Sequence, residues 1–244
     1  MKPEEKLFIW NFIFESDLIE GLQNNCKLLR DDIMNEKSDG HIGALLFLRN
    51  LAKRNMLLSD EVIILNIQKM ICAEQPIKGG ERVKDEFLGQ YRTVNVSVVS
   101  KIPIVFLDGK VVWQRKVLQT SPTPELVPQL MKAWIDKVNQ WQRDILQFSP
   151  EKNVEMIADF YFDFEKIHPF VDGNGRTGRL LAYYMLRYAN LPPFIFWEFS
   201  KQSDYYLAFQ EKQKMREYFS MRVFQPERIF GRIESLTEDE LIYF

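Results

Sequence analysis

One stretch decides how this chain folds: HPFVDGNGRTGR, residues 168–179. Gly173 and Gly175 flank Asn174 where a second helix begins, and glycines permit backbone conformations in which successive N–H groups point into one concavity. The unpaired N–H groups and the positive dipole end of that helix add to the same concavity. The stretch therefore predicts a helix–loop–helix whose loop binds an anion, best suited to phosphate.

The charged side chains of the stretch strengthen this interpretation. Arg176 and Arg179 lie on one face of the first helical turn, where positive charge opposes the helix dipole but suits a bound polyanion. Asp172 supplies a hard oxygen ligand of the kind that Mg²⁺ uses beside substrate phosphates. His168 is the side chain best suited to proton abstraction near neutral pH. A plain helical corner with a satisfied histidine would leave these charges and Asn174 unexplained.

The bulk composition limits the classes of protein. The chain has 244 residues, 46% hydrophobic and 27% charged, with a net charge of -2, which is typical of a soluble globular protein and disfavours nucleic-acid binding. No stretch is long enough to span a membrane, and the apolar run from Leu7 to Phe14 predicts a helix rather than a signal peptide. Cys26 and Cys72 are expected to be reduced, as in a cytoplasmic protein.

Helical signals dominate the rest of the chain. Residues 1–75 are expected to be helical, with Ser59 as an N-cap, and a further helix is expected over about Gln129 to Trp141. Ser149-Pro150-Glu151 is a helix start, and that helix should end near Ile167. The helix of the motif should begin near Gly175 and end before Pro192.

Residues 93–119 interrupt this pattern. Val94, Val96 and Val98 alternate with polar residues, and Asp108-Gly109 separates two further apolar runs, which is a strong signal for a β-hairpin. We therefore expect three segments: an N-terminal helical region (1–58), a domain that bears the motif (59–215) and a C-terminal extension (216–244).

The twelve-residue motif resembles the signature of the Fic family, His-Pro-Phe-x-Asp/Glu-Gly-Asn-Gly-Arg-x-x-Arg, at every defined position. The resemblance covers roughly residues 60–215 and includes four flanking segments: Gly89–Arg92, Pro122–Met131, Leu191–Pro193 and the pair Tyr205-Tyr206. It implies an all-α fold, a Fic-type helical bundle with a β-hairpin flap over the active site.

The resemblance also implies an activity, the transfer of AMP from ATP to a hydroxyl group of a target protein and of the enzyme itself. His168 would deprotonate the hydroxyl, and Asp172 would hold Mg²⁺ on the α- and β-phosphates. The remaining roles would fall to residues that cradle the phosphates (Gly173, Asn174, Gly175), orient the β- and γ-phosphates (Arg176, Arg179) and line the adenine pocket (Tyr205, Tyr206, Gln213). The target would dock on the hairpin, along either Val94–Val98 or Val117–Thr120.

The segment from Ser16 through Glu20 to Gly21 resembles the inhibitory pattern Ser/Thr-x-x-x-Glu-Gly/Asn of Fic proteins. Glu20 would pair with Arg179 and occupy the guanidinium that the γ-phosphate needs, while Ser16 would position the helix. The alternative is an amphipathic helix on which Glu20 is a solvated acid.

Other functions stay open. Doc-type kinases and phosphocholine transferases share the fold, but the Doc-type motif lacks the second glycine of the loop, so Gly175 favours nucleotidyl transfer. Glu20 could instead orient a water that removes AMP. A catalytically silent nucleotide-binding regulator is the third alternative, against which His168 and Asp172 argue. The sequence leaves the oligomeric state open, a homo-oligomer included.

Overall fold

The described part of the chain is a helical bundle with one pair of strands. The structure, a computed structural model, describes residues 1–22, 25–58, 60–73, 83–105, 111–196 and 204–225, with the backbone alone for 98–105, 111–119, 204 and 206. Its elements in chain order are α1 (Pro3–Ile19), α2 (Cys26–Met34), α3 (Gly40–Lys53), α4 (Glu61–Ala73), β1 (Ser97–Val105), β2 (Val111–Thr120), α5 (Val127–Asp144), α6 (Pro150–Ile167), α7 (Asn174–Tyr188), α8 (Asp204–Ala208) and α9 (Lys212–Phe224). Within those ranges no helix combines the length and apolar character needed to cross a membrane.

Helix α7 lies at the centre of the bundle, in contact with α1, α3, α4 and α6. Every residue from Arg176 to Leu186 is buried, as expected of a helix surrounded on all sides. The N-terminal region shares this core, since the ring centroid of Phe12 lies 5.6 Å from that of Tyr183. The boundary predicted at residue 215 falls inside α9, which packs on α6.

Helix α6 begins where the sequence predicted. The Ser149 hydroxyl accepts a 3.2 Å hydrogen bond from the backbone N–H of Lys152, and Pro150 occupies the first helical position. The helix ends after Ile167 because His168 takes a left-handed backbone conformation and Pro169 cannot continue a helix. The site loop therefore starts at a fixed point.

Strands β1 and β2 pair antiparallel, from Ser97 opposite Thr120 to Val105 opposite Val111. β1 begins three residues later than the valine alternation indicated. The carbonyl of Val94 accepts a 3.1 Å hydrogen bond from Arg92 Nη1, so this carbonyl is used outside the strand pair. The predicted turn at Asp108-Gly109 lies outside the described residues, as does the predicted cap at Ser59.

Candidate active site

His168 stands at the junction of α6 and the loop that leads to α7. Its backbone has φ 51° and ψ 63°, a region that side chains other than glycine seldom adopt. Its carbonyl accepts a 2.7 Å hydrogen bond from Arg92 Nε, and its N–H donates to the carbonyl of Phe164 at 3.0 Å. These contacts fix the direction in which the histidine leaves the helix.

The environment of the imidazole favours its neutral form. Burial lowers the pKa of His168 below the usual 6.5, and the charge of Arg92 acts in the same direction. The carbonyl of Glu165 and the carboxylates of Glu20 and Asp172 oppose this lowering of the pKa. A ring that is neutral near pH 7 can accept a proton, which is what a general base requires.

Asn174 closes the loop on itself. Its Oδ1 accepts a 2.8 Å hydrogen bond from the N–H of Phe170, and its Nδ2 donates to the Phe170 carbonyl at 2.9 Å. The Phe170 ring is fully buried, so this clamp ties the loop to the core. The side chain of Asn174 therefore shapes the loop, and only its backbone is placed to meet a phosphate.

The start of α7 is built to receive an anion. Gly173 is the N-cap, with φ 83° and no side chain to occupy the N–H groups of the first turn. Those N–H groups have no acceptor within the helix, so an anion at this end satisfies them. A Cβ at Gly173 would lie only 2.6 Å from the sulfur of Cys72, which shows how closely α4 approaches.

Asp172 and Arg176 flank this helix start. Asp172 Oδ1 accepts a 2.7 Å hydrogen bond from the N–H of Gly173, and the side chain is 39% exposed. Arg176 Nη2 lies 3.8 Å from the same oxygen, and the arginine side chain is only 2% exposed. The Asp172 carbonyl accepts a 3.1 Å hydrogen bond from Gln68 Nε2. The acid thus faces solvent while its backbone is fixed to α4.

Arg179, fully buried one turn further on, reaches the end of α1. Its Nε donates to the Ser16 hydroxyl at 2.8 Å, and its Nη2 donates to the Ser16 carbonyl and to Glu20 Oε1, both at 2.8 Å. Its Nη1 donates to the hydroxyl of Tyr205 at 3.0 Å. The contact between Glu20 and Arg179 that the sequence predicted is therefore present.

Glu20 also lies against the first turn of α7. A Cβ at Gly175 would collide with Glu20 Oε1, so the carboxylate occupies the face of α7 that a glycine leaves open. Glu20 caps α1, and Gly21 follows with φ 71°, which ends the helix at this point. The carboxylate thereby stands at the positive end of α7, where an anion is stabilised.

The structure places Tyr205 and Gln213 in different surroundings, one buried and one exposed. The Tyr205 side chain is buried. Its hydroxyl lies 2.9 Å from that of Tyr161 and also accepts the hydrogen bond from Arg179. The backbone of Tyr206 lies in α8, and its side chain is outside the description. Gln213 is exposed on α9, where its Nε2 donates to Glu217 Oε1 at 3.1 Å.

Two groups at the site were missed at the sequence level. Glu165 is buried on α6, and burial raises its pKa to about 8, with Glu20 adding to the effect and Arg179 opposing it. Its Oε1 fills the space where a Cβ of Gly178 would stand. Arg92 was noted only within a flanking segment. The one signal in the sequence that could have pointed to a buried neighbour such as Glu165 was Gly178, a glycine inside a buried helix.

Comparison with known proteins shows the family of this chain. The Fic/DOC family model matches residues 59–186, just over half of the chain, so the chain belongs to the Fic/DOC family. It is 33% identical over 118 residues to "Protein adenylyltransferase Fic" of Nematostella vectensis, an alignment of 48% of this chain and 22% of that protein. It is 42% identical over 64 residues to a Fido domain-containing protein of Dictyostelium discoideum, an alignment of 26% of this chain and 42% of that protein. The matches thus span less than half the length of either relative.

Solved structures show the same fold. A Fic domain containing signaling protein from Bacteroides thetaiotaomicron superposes with a TM-score of 0.66 at 20% identity, covering 90% of this chain and 87% of that one. Fic-1 from C. elegans superposes with a TM-score of 0.63 at 18% identity, covering 96% and 68%. These likenesses establish the architecture.

Proposed function

We propose that this chain transfers AMP from ATP to a hydroxyl side chain of a target protein, with His168 as the base. The observation that carries the proposal is the loop between α6 and α7. It joins a histidine with a lowered pKa to a helix start that is open to anions, with Arg176 and Arg179 on that helix. The adenylyltransferase name of the Nematostella relative supports AMP as the group transferred.

In the proposed reaction the target hydroxyl attacks the α-phosphorus of ATP. The new bond is between the target oxygen and that phosphorus, the bond to the bridging oxygen of the β-phosphate breaks, and pyrophosphate leaves. His168 takes the hydroxyl proton, the backbone of residues 173–175 binds the phosphates, and Arg176 and Arg179 orient the terminal ones. The Asn174 clamp keeps this binding surface in shape before ATP arrives.

The donor set fits Mg²⁺ brought by ATP. Mg²⁺ in proteins is typically bound by one or two carboxylates together with substrate phosphates. Asp172 would hold the ion, since its carboxylate is partly exposed beside the start of α7. Bound Mg²⁺ would neutralise charge that develops on the phosphates.

We further propose that Glu20 keeps the enzyme inactive. Its carboxylate holds the Arg179 guanidinium at 2.8 Å and lies on the open face of Gly175. ATP bound beside this carboxylate must place its γ-phosphate away from Arg179. The α-phosphorus is then out of line with the hydroxyl, and a misplacement of about 1 Å can cost on the order of 10²-fold in rate.

The target would add a strand to the pair β1–β2, which would act as the flap. In the described residues this sheet has two strands, so each presents an unpaired edge there. Backbone hydrogen bonds along such an edge give affinity without demanding a particular side chain.

The deciding experiment uses the Glu20→Ala protein with ATP, GTP, CTP or UTP and a cell lysate. Mass spectrometry should find AMP on protein hydroxyl groups with ATP and far less modification with the other three. The Glu20→Ala, His168→Ala double variant is the control and should give none. Transfer of a different group, or equal transfer by the double variant, would refute the proposal.

A further inference from the structure

Arg92 is a buried cation outside the motif. Its side chain is only 2% exposed, and its hydrogen bonds within the described residues end on backbone carbonyls. Nε donates to the carbonyl of His168 at 2.7 Å and Nη1 to that of Val94 at 3.1 Å, while Nη2 donates to those of Pro122 at 2.6 Å and Ile167 at 3.4 Å. Burying a guanidinium against neutral acceptors is costly, so filling space does not explain the choice of arginine.

The four carbonyls belong to three separate segments, since Ile167 and His168 are neighbours. His168 lies where α6 ends, Val94 lies just before β1, and Pro122 lies just after β2. The backbone N–H of Arg92 adds a 2.9 Å hydrogen bond to the carbonyl of Pro169. Because the guanidinium is planar and its donors diverge at fixed angles, these bonds set the distances between the three segments.

The phosphate site has its own supports. The start of α7 is held by the bonds between Asn174 and Phe170 and by the close packing of Cys72 on Gly173. None of these supports includes Arg92. Removing the guanidinium should therefore disturb the base and the strand ends while leaving the anion site in place.

We infer that Arg92 is a positioning residue that holds His168 and both ends of the strand pair β1–β2 in a fixed relation. This inference rests on the proposed function, in which the strands present a hydroxyl and His168 takes its proton. Arg92 acts through the backbone of 167–169 and touches no reacting atom. The Arg92 side chain thereby sets the distance between the docked hydroxyl and His168.

The test compares Arg92→Lys and Arg92→Met in the Glu20→Ala background. Lysine keeps the charge, but its compact ammonium lacks the planar, diverging donors of a guanidinium, so kcat for transfer should fall on the order of 10²-fold in both variants. ATP affinity measured by calorimetry should stay within about twofold, because the phosphates are held elsewhere. The control is Trp141→Phe, which removes a buried 2.8 Å hydrogen bond to Asn153 at the opposite end of α6 and should keep kcat.

Two readouts do not depend on activity. The chain has two histidines, so the ¹⁵N-labelled imidazole of His168 can be followed directly, and its resonance should shift and broaden in Arg92→Lys. Amide hydrogen exchange should be slow at Ile167 and His168 in the unsubstituted chain and faster there in Arg92→Lys, with the first turn of α7 unchanged. The exchange rate in the unsubstituted chain can be measured even if an Arg92 variant does not fold.

An unchanged His168 resonance, fast amide exchange at Ile167 and His168 in the unsubstituted chain, or a parallel loss of ATP affinity and kcat would each overturn the inference. So would an equal loss of kcat in Trp141→Phe. If the Glu20→Ala parent transfers nothing, the proposed function fails by itself, and the imidazole and exchange measurements still decide the role of Arg92.

Discussion

Arg179 is bound to Ser16 twice, through its Nε to the hydroxyl and its Nη2 to the carbonyl, both at 2.8 Å. In an uninterrupted helix that carbonyl would accept from the N–H of Glu20, four residues on. Here the N–H of Glu20 donates to the carbonyl of Asp17 at 3.0 Å instead. The last turn of α1 thus tightens and leaves the Ser16 carbonyl for the arginine. Loss of the Glu20 carboxylate alone leaves this double anchor intact.

Glu20→Ala should activate transfer on the order of 10²-fold, mainly in kcat, because Arg179 then becomes available to the γ-phosphate. Glu20→Gln should activate as well, since it removes the charge and keeps the size. Labelled-AMP incorporation measures both. The matched control is Glu5→Ala, which breaks the pair between α1 and Arg49 without touching Arg179.

Arg179→Ala in the Glu20→Ala background should cancel the gain, because the same guanidinium is both blocked and needed. Equal labelling by wild type and Glu20→Ala would show that the carboxylate does not inhibit. Equal activation by Glu5→Ala would show that weaker packing of α1, and not loss of the Glu20 carboxylate, causes the activation.

His168→Ala in the Glu20→Ala background should lower transfer by about 10² to 10⁴-fold, the usual contribution of a general base. ATP binding by calorimetry should persist, since the phosphates contact other residues. His41→Gln is the control, because the other histidine pairs with Asp17 at 3.0 Å. Lost ATP binding with intact transfer would contradict the assignment.

The imidazole of His168 should titrate below 6.5 in the nucleotide-free protein, because burial disfavours the charged ring. Since Glu20 raises this pKa, Glu20→Ala should lower it further. Protonation favours the unfolded chain, so this group reduces stability as pH falls below 6.5. NMR titration, with the two resonances assigned by His41→Gln, measures the shift. A His168 pKa at or above 6.5 would be inconsistent with the buried ring.

Removing the divalent metal with excess chelator should abolish transfer, and Mg²⁺ or Mn²⁺ should restore it. Asp172→Ala and Asp172→Asn should each cost about 10²-fold or more, since a metal ion contributes several kcal/mol. Asparagine can still accept from the N–H of Gly173, so it separates the loss of a ligand from damage to the loop. Full activity in chelator would exclude a metal requirement.

Glu165 should make the protein less stable as pH rises. Its pKa is raised from 4.5 to about 8 by burial, so between these values the folded state holds a proton that the unfolded state releases. Thermal melting at pH 6 and pH 9 should show a drop for wild type that Glu165→Gln, which mimics the protonated acid, largely lacks. The same drop in both proteins would argue against a protonated Glu165.

Local sequence signals predicted much of this molecule. The Ser149 cap, the glycines of the loop and the apolar runs on either side of Asp108-Gly109 act over a few residues, so they indicated α6, the loop and the strand pair. The contact between Glu20 and Arg179 came from a family pattern, because nothing near either residue specifies a partner 159 positions away.

Other features depend on packing that no local pattern encodes. Tyr205 was assigned to adenine because its position resembles a family element, yet its hydroxyl binds Arg179 at 3.0 Å. Asn174 lies in a motif associated with phosphate, yet its side chain binds the loop backbone. The role of Arg92 requires the simultaneous placement of three segments, which only the folded chain shows.

If Glu20 inhibits transfer as proposed, the burial of α1 limits how that inhibition can be relieved. Ile9, Phe12 and Ile13 are each at most 1% exposed, and they pack into the same core as α7. Truncating one such side chain typically costs about 2–5 kcal/mol, against a total of about 5–15 kcal/mol for a domain. A chain that lacks residues 1–22, and with them α1, should therefore unfold rather than become active. Relief of the proposed inhibition therefore requires the Glu20 carboxylate to leave Arg179 while α1 stays packed in the core.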